Sequence, residues 1–271
     1  MDRDYDKELK QLAEQMSIRD SSIIEQGVTE LKHVFSRMDT LYILYHYLNE
    51  RDERGIINVA PKGVRILYAK LANCLIGIIR LLQAGLVGPA AIVLRCLFET
   101  SVHLRVMLMD NVQERSALFE DFLFIERSRL TYITDEEKTK NKIQLEKVRA
   151  NYHPDNPKSW CWKLVPSKKD KKGVPGNPTL RDLCVHIGNL DRYNNLYDLL
   201  SKVIHPVPSY EAWLRNKDGH MDMGPLFGPS IEKTANLTIA YAGEALVSII
   251  NFLKPEDEMN LKSCVVALIQ Y

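Results

Sequence analysis

The chain has 271 residues, 45% of them hydrophobic and 26% charged, with a formal net charge of +1. That length fits one large domain or two small ones, and the composition is that of an ordinary soluble globular protein. A net charge so small supplies no global field for a nucleic acid, a membrane surface or an acidic partner, so any such partner must use a local patch.

Apolar positions follow the helical period nearly throughout. A short charged helix is predicted over about 3–16. Asp20, Ser21 or Ser22 then caps a long helix from about 21 to 53, with a stripe through Val28, Leu31, Val34, Phe35, Met38, Leu41 and Tyr42, and Gly55 closes it. A third helix spans about 61–84 and ends at Gly85. A fourth starts at Pro89, a residue suited to a first turn, and runs to about 109. Asp110 and Asn111 turn the chain into a fifth helix through about 132. Asp135 caps a sixth, "EEKTKNKIQLEKVRANY", whose charge predicts a solvated outer helix.

Residues 153–178 hold Pro154, Pro157, Pro166, Pro175 and Pro178 around "SKKDKKG". That is a long loop, and long loops in compact domains are functional or disordered. Trp160 and Trp162 predict that part of it docks on the body. Thr179 caps "LRDLCVHIGN", and a further helix runs from about 190 to 204 until Pro206. A second irregular region covers 206–229. "SIEKTANLTIAYAGEALVSIINFL" forms a long amphipathic helix that ends before Pro255, and a short helix follows. There is no internal repeat and almost no strand signal. The predicted fold is all-α, a single multi-helix bundle with two long irregular loops. It divides into N-terminal helices (1–55), a core (56–206) and an irregular loop with C-terminal helices (207–271).

The five cysteines, Cys74, Cys96, Cys161, Cys184 and Cys264, are odd in number and form no C-x-x-C pair. All but Cys161 lie in apolar segments, where a free cysteine acts as a small hydrophobe. With the charged, signal-free start "MDRDYDKELKQ", they predict a reducing cytoplasm. The longest apolar stretch, "LANCLIGIIRLLQAGLVGPAAIVLRCLF", is interrupted by Arg80, Gln83, Arg95 and a Gly-x-x-Gly-Pro break. It reads as a buried helical hairpin rather than a membrane span.

Within that hairpin, "RCLFETSVH" carries Arg95, Glu99 and His103 at intervals of four, on one helix face. Such groups are costly to bury unpaired in so apolar a helix. Arg95 can pair with Glu99, and Glu99 can hydrogen-bond His103. The line is either a self-satisfied seam that fixes helix register or a pocket wall where Glu99 and His103 transfer protons. A second line of the same period, Tyr193, Tyr197, Ser201 and His205, lies in "DRYNNLYDLLSKVIHP". His205 falls at a helix C-terminus, where the dipole favours its protonated form. A capping histidine with tyrosines at the core edge is the plain alternative. If the two helices pack together, the lines meet.

Other signals are weaker. "SKKDKKG" offers Lys168 and Lys169 as phosphate contacts, or a solvated loop. His220 and Asp222 in "GHMDMG" are too few for a metal site. Walker A, G-x-G-x-x-G, H-E-x-x-H and G-x-S-x-G patterns are absent, which removes the commonest NTPase, dinucleotide, zincin and α/β-hydrolase readings. Neither a metal nor a cofactor is expected.

Gly85, Ala91, Arg95, Phe98 and Glu99, then Tyr197, Ser201 and His205, together resemble a broad, mainly bacterial helical family known as domain of unknown function 5677. The resemblance covers about residues 60–206 and implies a site at these positions without naming a reaction. Separately, Arg181 and His186 in "LRDLCVH" form an Arg-x4-His pattern that resembles the motif of HEPN ribonucleases. Those are helical, dimeric, metal-independent RNA-cutting domains. The resemblance implies an arginine holding the scissile phosphate and a histidine transferring a proton.

Two functions follow as expectations. One is a metal-independent RNA- or phosphodiester-cleaving effector of bacterial stress or antiphage defence, a toxin acting on RNA or a nucleotide as a cytoplasmic homodimer. The other is a non-enzymatic binding module whose Arg95, Glu99, Tyr197 and His205 pocket holds a small ligand or a protein partner.

Overall fold

The computed structural model describes residues 5–50, 56–132, 134–149, 158–161, 163–165, 176–197, 200 and 227–270. Among them the regular structure is helical. In chain order it comprises α1 (Tyr5–Glu30), α2 (Lys32–Glu50), a 3-10 turn (Ile56–Val59), α3 (Lys62–Gln83), α4 (Val87–Met107), α5 (Val112–Arg127), α6 (Asp135–Arg149), α7 (Leu180–His186), α8 (Leu190–Arg192) running into a π-helical turn (Tyr193–Tyr197), α9 (Pro229–Leu253) and α10 (Glu258–Gln270). The all-α reading holds.

The α3–α4 hairpin is the spine. It turns on Gly85, whose φ of +71° is open to glycine at little cost. The Gly85 N–H donates to the Leu82 carbonyl (2.9 Å) and the Leu86 N–H to the Leu81 carbonyl (2.8 Å), the paired bonds of a left-handed helix stop. α4 therefore doubles back along α3, and α9 packs across both. Leu71, Leu75 and Ile78 of α3, Leu94, Leu97 and Phe98 of α4, and Ala242 and Ile249 of α9 are fully buried between them. These three helices are also long and apolar enough, by length and composition, to cross a membrane. Buried polar groups near the spine are satisfied through the main chain. Tyr45 Oη donates to the Ala242 carbonyl (2.8 Å), and Tyr68 Oη donates to the Tyr45 carbonyl.

The structure moves several predicted boundaries. Asp20, Ser21 and Ser22 do not cap a helix, because α1 runs through them. Ser21 Oγ donates to the Ser17 carbonyl (2.8 Å) and Arg19 pairs with Asp20 (3.1 Å), so these polar side chains are accommodated within the turn. The break falls at Leu31 instead, just past Gly27, which packs so tightly under Phe227 that a Cβ would lie 2.1 Å from its ring. The cap of α6 is Thr134 rather than Asp135. Thr134 Oγ1 accepts from the Glu137 N–H (3.2 Å) while the Glu137 carboxylate accepts from the Thr134 N–H (2.8 Å). Thr179 caps α7 as expected, in a reciprocal box with Asp182. Cys96 and Cys264 are exposed, since even an apolar segment has an outer face, whereas Cys161 and Cys184 are buried.

α3 and α5 approach closely at Gly63. Its N–H, one of the orphan donors of the first turn, donates to Ser116 Oγ (2.7 Å). Ser116→Ala leaves that buried donor unpaired and should cost about 1–3 kcal/mol. In Gly63→Ala the new Cβ meets Ser116 Oγ at 2.9 Å and Ser116 Cα at 3.2 Å, so α5 must shift. Urea denaturation should show both midpoints lowered, with the denaturant slope unchanged.

Candidate functional site

α4 presents its polar line to a cleft of about 620 Å³ between α3, α5, the start of α7 and the π-helical turn. Arg95, Glu99 and His103 all line it, and so does Tyr197 from the second predicted line. Arg95 Nε donates to Glu99 Oε1 (2.9 Å), and Arg95 Nη2 donates to Tyr197 Oη. The guanidinium carbon also stands 4.6 Å from the Tyr197 ring centroid, and that ring stacks on Tyr193 at 4.8 Å. Arg192 anchors this turn to α9 by an ion pair with Glu244 (2.6 Å). The two predicted lines thus meet at Arg95 and Tyr197.

This is not a sealed seam. The Arg95 and Glu99 side chains remain 20% and 37% exposed, on the cleft side. Burial works against the Arg95 charge, but the hydrogen bonds and charge of Glu99 and Tyr197 outweigh it and hold the Arg95 pKa above its ordinary value. Burial, then Tyr197, pushes the Tyr193 hydroxyl up.

His103 bonds elsewhere than the Glu99 expected from spacing. Its Nδ1 accepts from Trp160 Nε1 (3.1 Å), with Cys161 Sγ at 3.9 Å. Trp160 is 3% exposed and meets the edge of Phe119 at 5.5 Å, so the predicted docking of the long loop is seen at this residue. Burial, helped by the Lys70 charge, lowers the His103 pKa to about 4. The ring is therefore neutral at pH 7. An indole N–H only donates, so Nδ1 must be the acceptor and the ring proton sits on Nε2. Burial pushes the Cys161 thiol up to about 12, which makes it a poor nucleophile.

The remaining predicted residues stand apart. Tyr193 lies behind Tyr197 rather than in the lining. Arg181 is exposed at the start of α7, and Nε2 of His186 is buried without a hydrogen-bond partner among the described residues. Neither lines the cleft, although Leu180 and Leu183 of the same helix do. Ser201, His205, Lys168 and Lys169 lie outside the described residues, as do Trp162, His220 and Asp222. The structure adds Lys70 of α3 and Lys158 to the lining, the latter held by its N–H donating to Asn177 Oδ1 (2.6 Å). Lys70 had a signal of the same kind as Arg95, a lone charge in the apolar run "ILYAKLANCL". Among the described residues no cluster of three or more His, Cys, Asp or Glu could hold a metal ion.

An all-helical bundle with one polar line opening on a cationic, apolar-floored cleft defines the class of protein. More particularly, the chain belongs to the family of unknown function DUF5677, which it matches over residues 62–221, more than half its length. That span contains Arg95, Glu99 and Tyr197 and extends past the 206 expected from the sequence. No curated protein and no solved structure matches the chain.

The His103 environment gives stability a defined pH dependence. Between the ordinary value of 6.5 and about 4, the unfolded chain binds a proton that the native ring refuses. Stability from this group is complete above that window and falls with pH inside it, about tenfold in the folding equilibrium per pH unit. Urea unfolding at neutral pH and at pH ~5 should show the loss in the wild type and a smaller one in His103→Gln.

Proposed function

We propose that the chain is a ligand-binding module whose cleft takes a small molecule bearing a phosphate or comparable anionic group. The observation that carries this reading is convergence. Lys70, Arg95 and Lys158 come from three separate segments onto one cleft floored by Leu67, Phe122 and Leu183. Arg95 is paired with Glu99, while Lys70 and Lys158 have no ion partner among the described residues. Glu99 and Glu126 at the same cleft keep it from being uniformly positive, which suits a ligand with one anionic end and a neutral body. A nucleotide has this make-up. On the unpaired cysteines we infer a cytoplasmic location.

The cleavage reading rests on His205, Ser201, Lys168 and Lys169, beyond the described residues, and on the Arg181/His186 pair, which stands off the cleft. Within the described cleft His103 Nδ1 is engaged by Trp160 and Glu99 by Arg95, so binding is the reading the geometry favours.

Thermal denaturation tests it. Ribose 5-phosphate or mononucleotides in excess should raise the wild-type midpoint, because ligand binds only the native state. Lys70→Ala and Arg95→Ala should lose most of that shift. The absence of any shift with every phosphate compound would overturn the reading. Cleavage of RNA by the wild type but not by His205→Ala would replace it with catalysis.

A further inference from the structure

We propose that Glu99 and His103 together read a nucleobase, one accepting from and the other donating to adjacent groups on its edge; this rests on the anion-binding reading above. Three observations carry it. Glu99 Oε1 is occupied by Arg95 at 2.9 Å, which leaves Oε2 as a hydrogen-bond acceptor on a side chain open to the cleft. His103 lines the same cleft with Nδ1 satisfied by Trp160, so the proton it offers is on Nε2. Among the described residues the sealed, partnerless histidine nitrogen is Nε2 of His186, not that of His103. Nε2 of His103 makes no hydrogen bond among the described residues and the residue lines the cleft, which makes this N–H the donor offered to a ligand.

Glu99 and His103 stand one helical turn apart on α4, close enough for their tips to converge on neighbouring atoms. The address they form is an acceptor beside a neutral donor. A nucleobase edge answers it with a ring or amino N–H next to a carbonyl or ring nitrogen. A sugar phosphate alone has no such flat edge. The apolar floor of Leu67, Phe122 and Leu183 suits a ring, and Lys70 and Lys158 remain for its phosphate. Trp160 is a positioning residue here. It also lines the cleft, and its indole N–H fixes which His103 nitrogen carries the proton.

Titration calorimetry of the full chain at neutral pH, with GMP, AMP, UMP and ribose 5-phosphate, separates the two proposals. The expected result is at least one nucleotide bound about tenfold tighter than ribose 5-phosphate. Glu99→Gln, which turns the free acceptor into an amide donor, and His103→Leu should erase that difference while ribose 5-phosphate binding persists. His103→Gln, which retains both an acceptor and a donor, should restore part of it. Nitrogen-15 spectra should show His103 as the Nε2–H tautomer in the wild type and a tautomer mixture in folded Trp160→Phe. Equal binding of ribose 5-phosphate and all three nucleotides overturns base reading and leaves anion binding standing. No binding by any of the four overturns both.

Discussion

α4 is clamped between α3 and α9, and of the strips this leaves open the polar one faces the cleft. Ala91, Leu94, Leu97, Phe98, Val102 and Val106 are spent on the two packing faces. Two strips remain: Pro89, Ile92 and Cys96 on the outer side, and the part-buried Arg95, Glu99 and His103 on the cleft side. The buried hydroxyls of α4, on Thr100 and Ser101, donate to the Cys96 and Phe98 carbonyls, since an unpaired one would cost several kcal/mol. The cleft uses the polar strip that the core leaves open.

From that strip, two separate hydrogen-bond networks recruit distant parts of the chain. Arg95 draws in the π-helical turn, because its guanidinium both bonds and covers Tyr197. His103 draws in the 158–161 segment, because a buried indole N–H needs an acceptor and a neutral imidazole supplies one. Each network satisfies a polar group that the other leaves alone. Together they stand walls around a volume that the helices by themselves would leave open. The lysines are then added at the rim, where water can still solvate them.

The sequence made some of this legible and hid the rest for physical reasons. Gly85 and Thr179 announce themselves because turns and caps are local, set by residues within a few positions of each other. The polar line on α4 was visible for the same reason, since periodicity four is a local pattern. The His103–Trp160 bond joins residues 57 apart in sequence and carries no periodic mark, so spacing alone assigned the imidazole to Glu99. Leu31, where the first long helical run breaks, has no sequence cue either. That break accompanies the seating of Phe227 on Gly27, a tertiary contact. Arg181 and His186 form a short pattern that is easily matched by chance, and neither lines the cleft.

The thiols carry a consequence of their own. Burial pushes Cys161 to about 12 and Cys184 to about 11, leaving both almost wholly protonated and shielded. Cys96 is exposed and is the immediate neighbour of Arg95. Cys96 does not line the cleft, because one position along α4 turns it about 100° from Arg95 onto the outer side of the helix. An alkylating dye added to the folded protein would therefore label Cys96 and Cys264, both outside the cleft lining. Oxidation of those sulfurs would add polar groups to the outer surface and leave the cleft-facing side chains untouched.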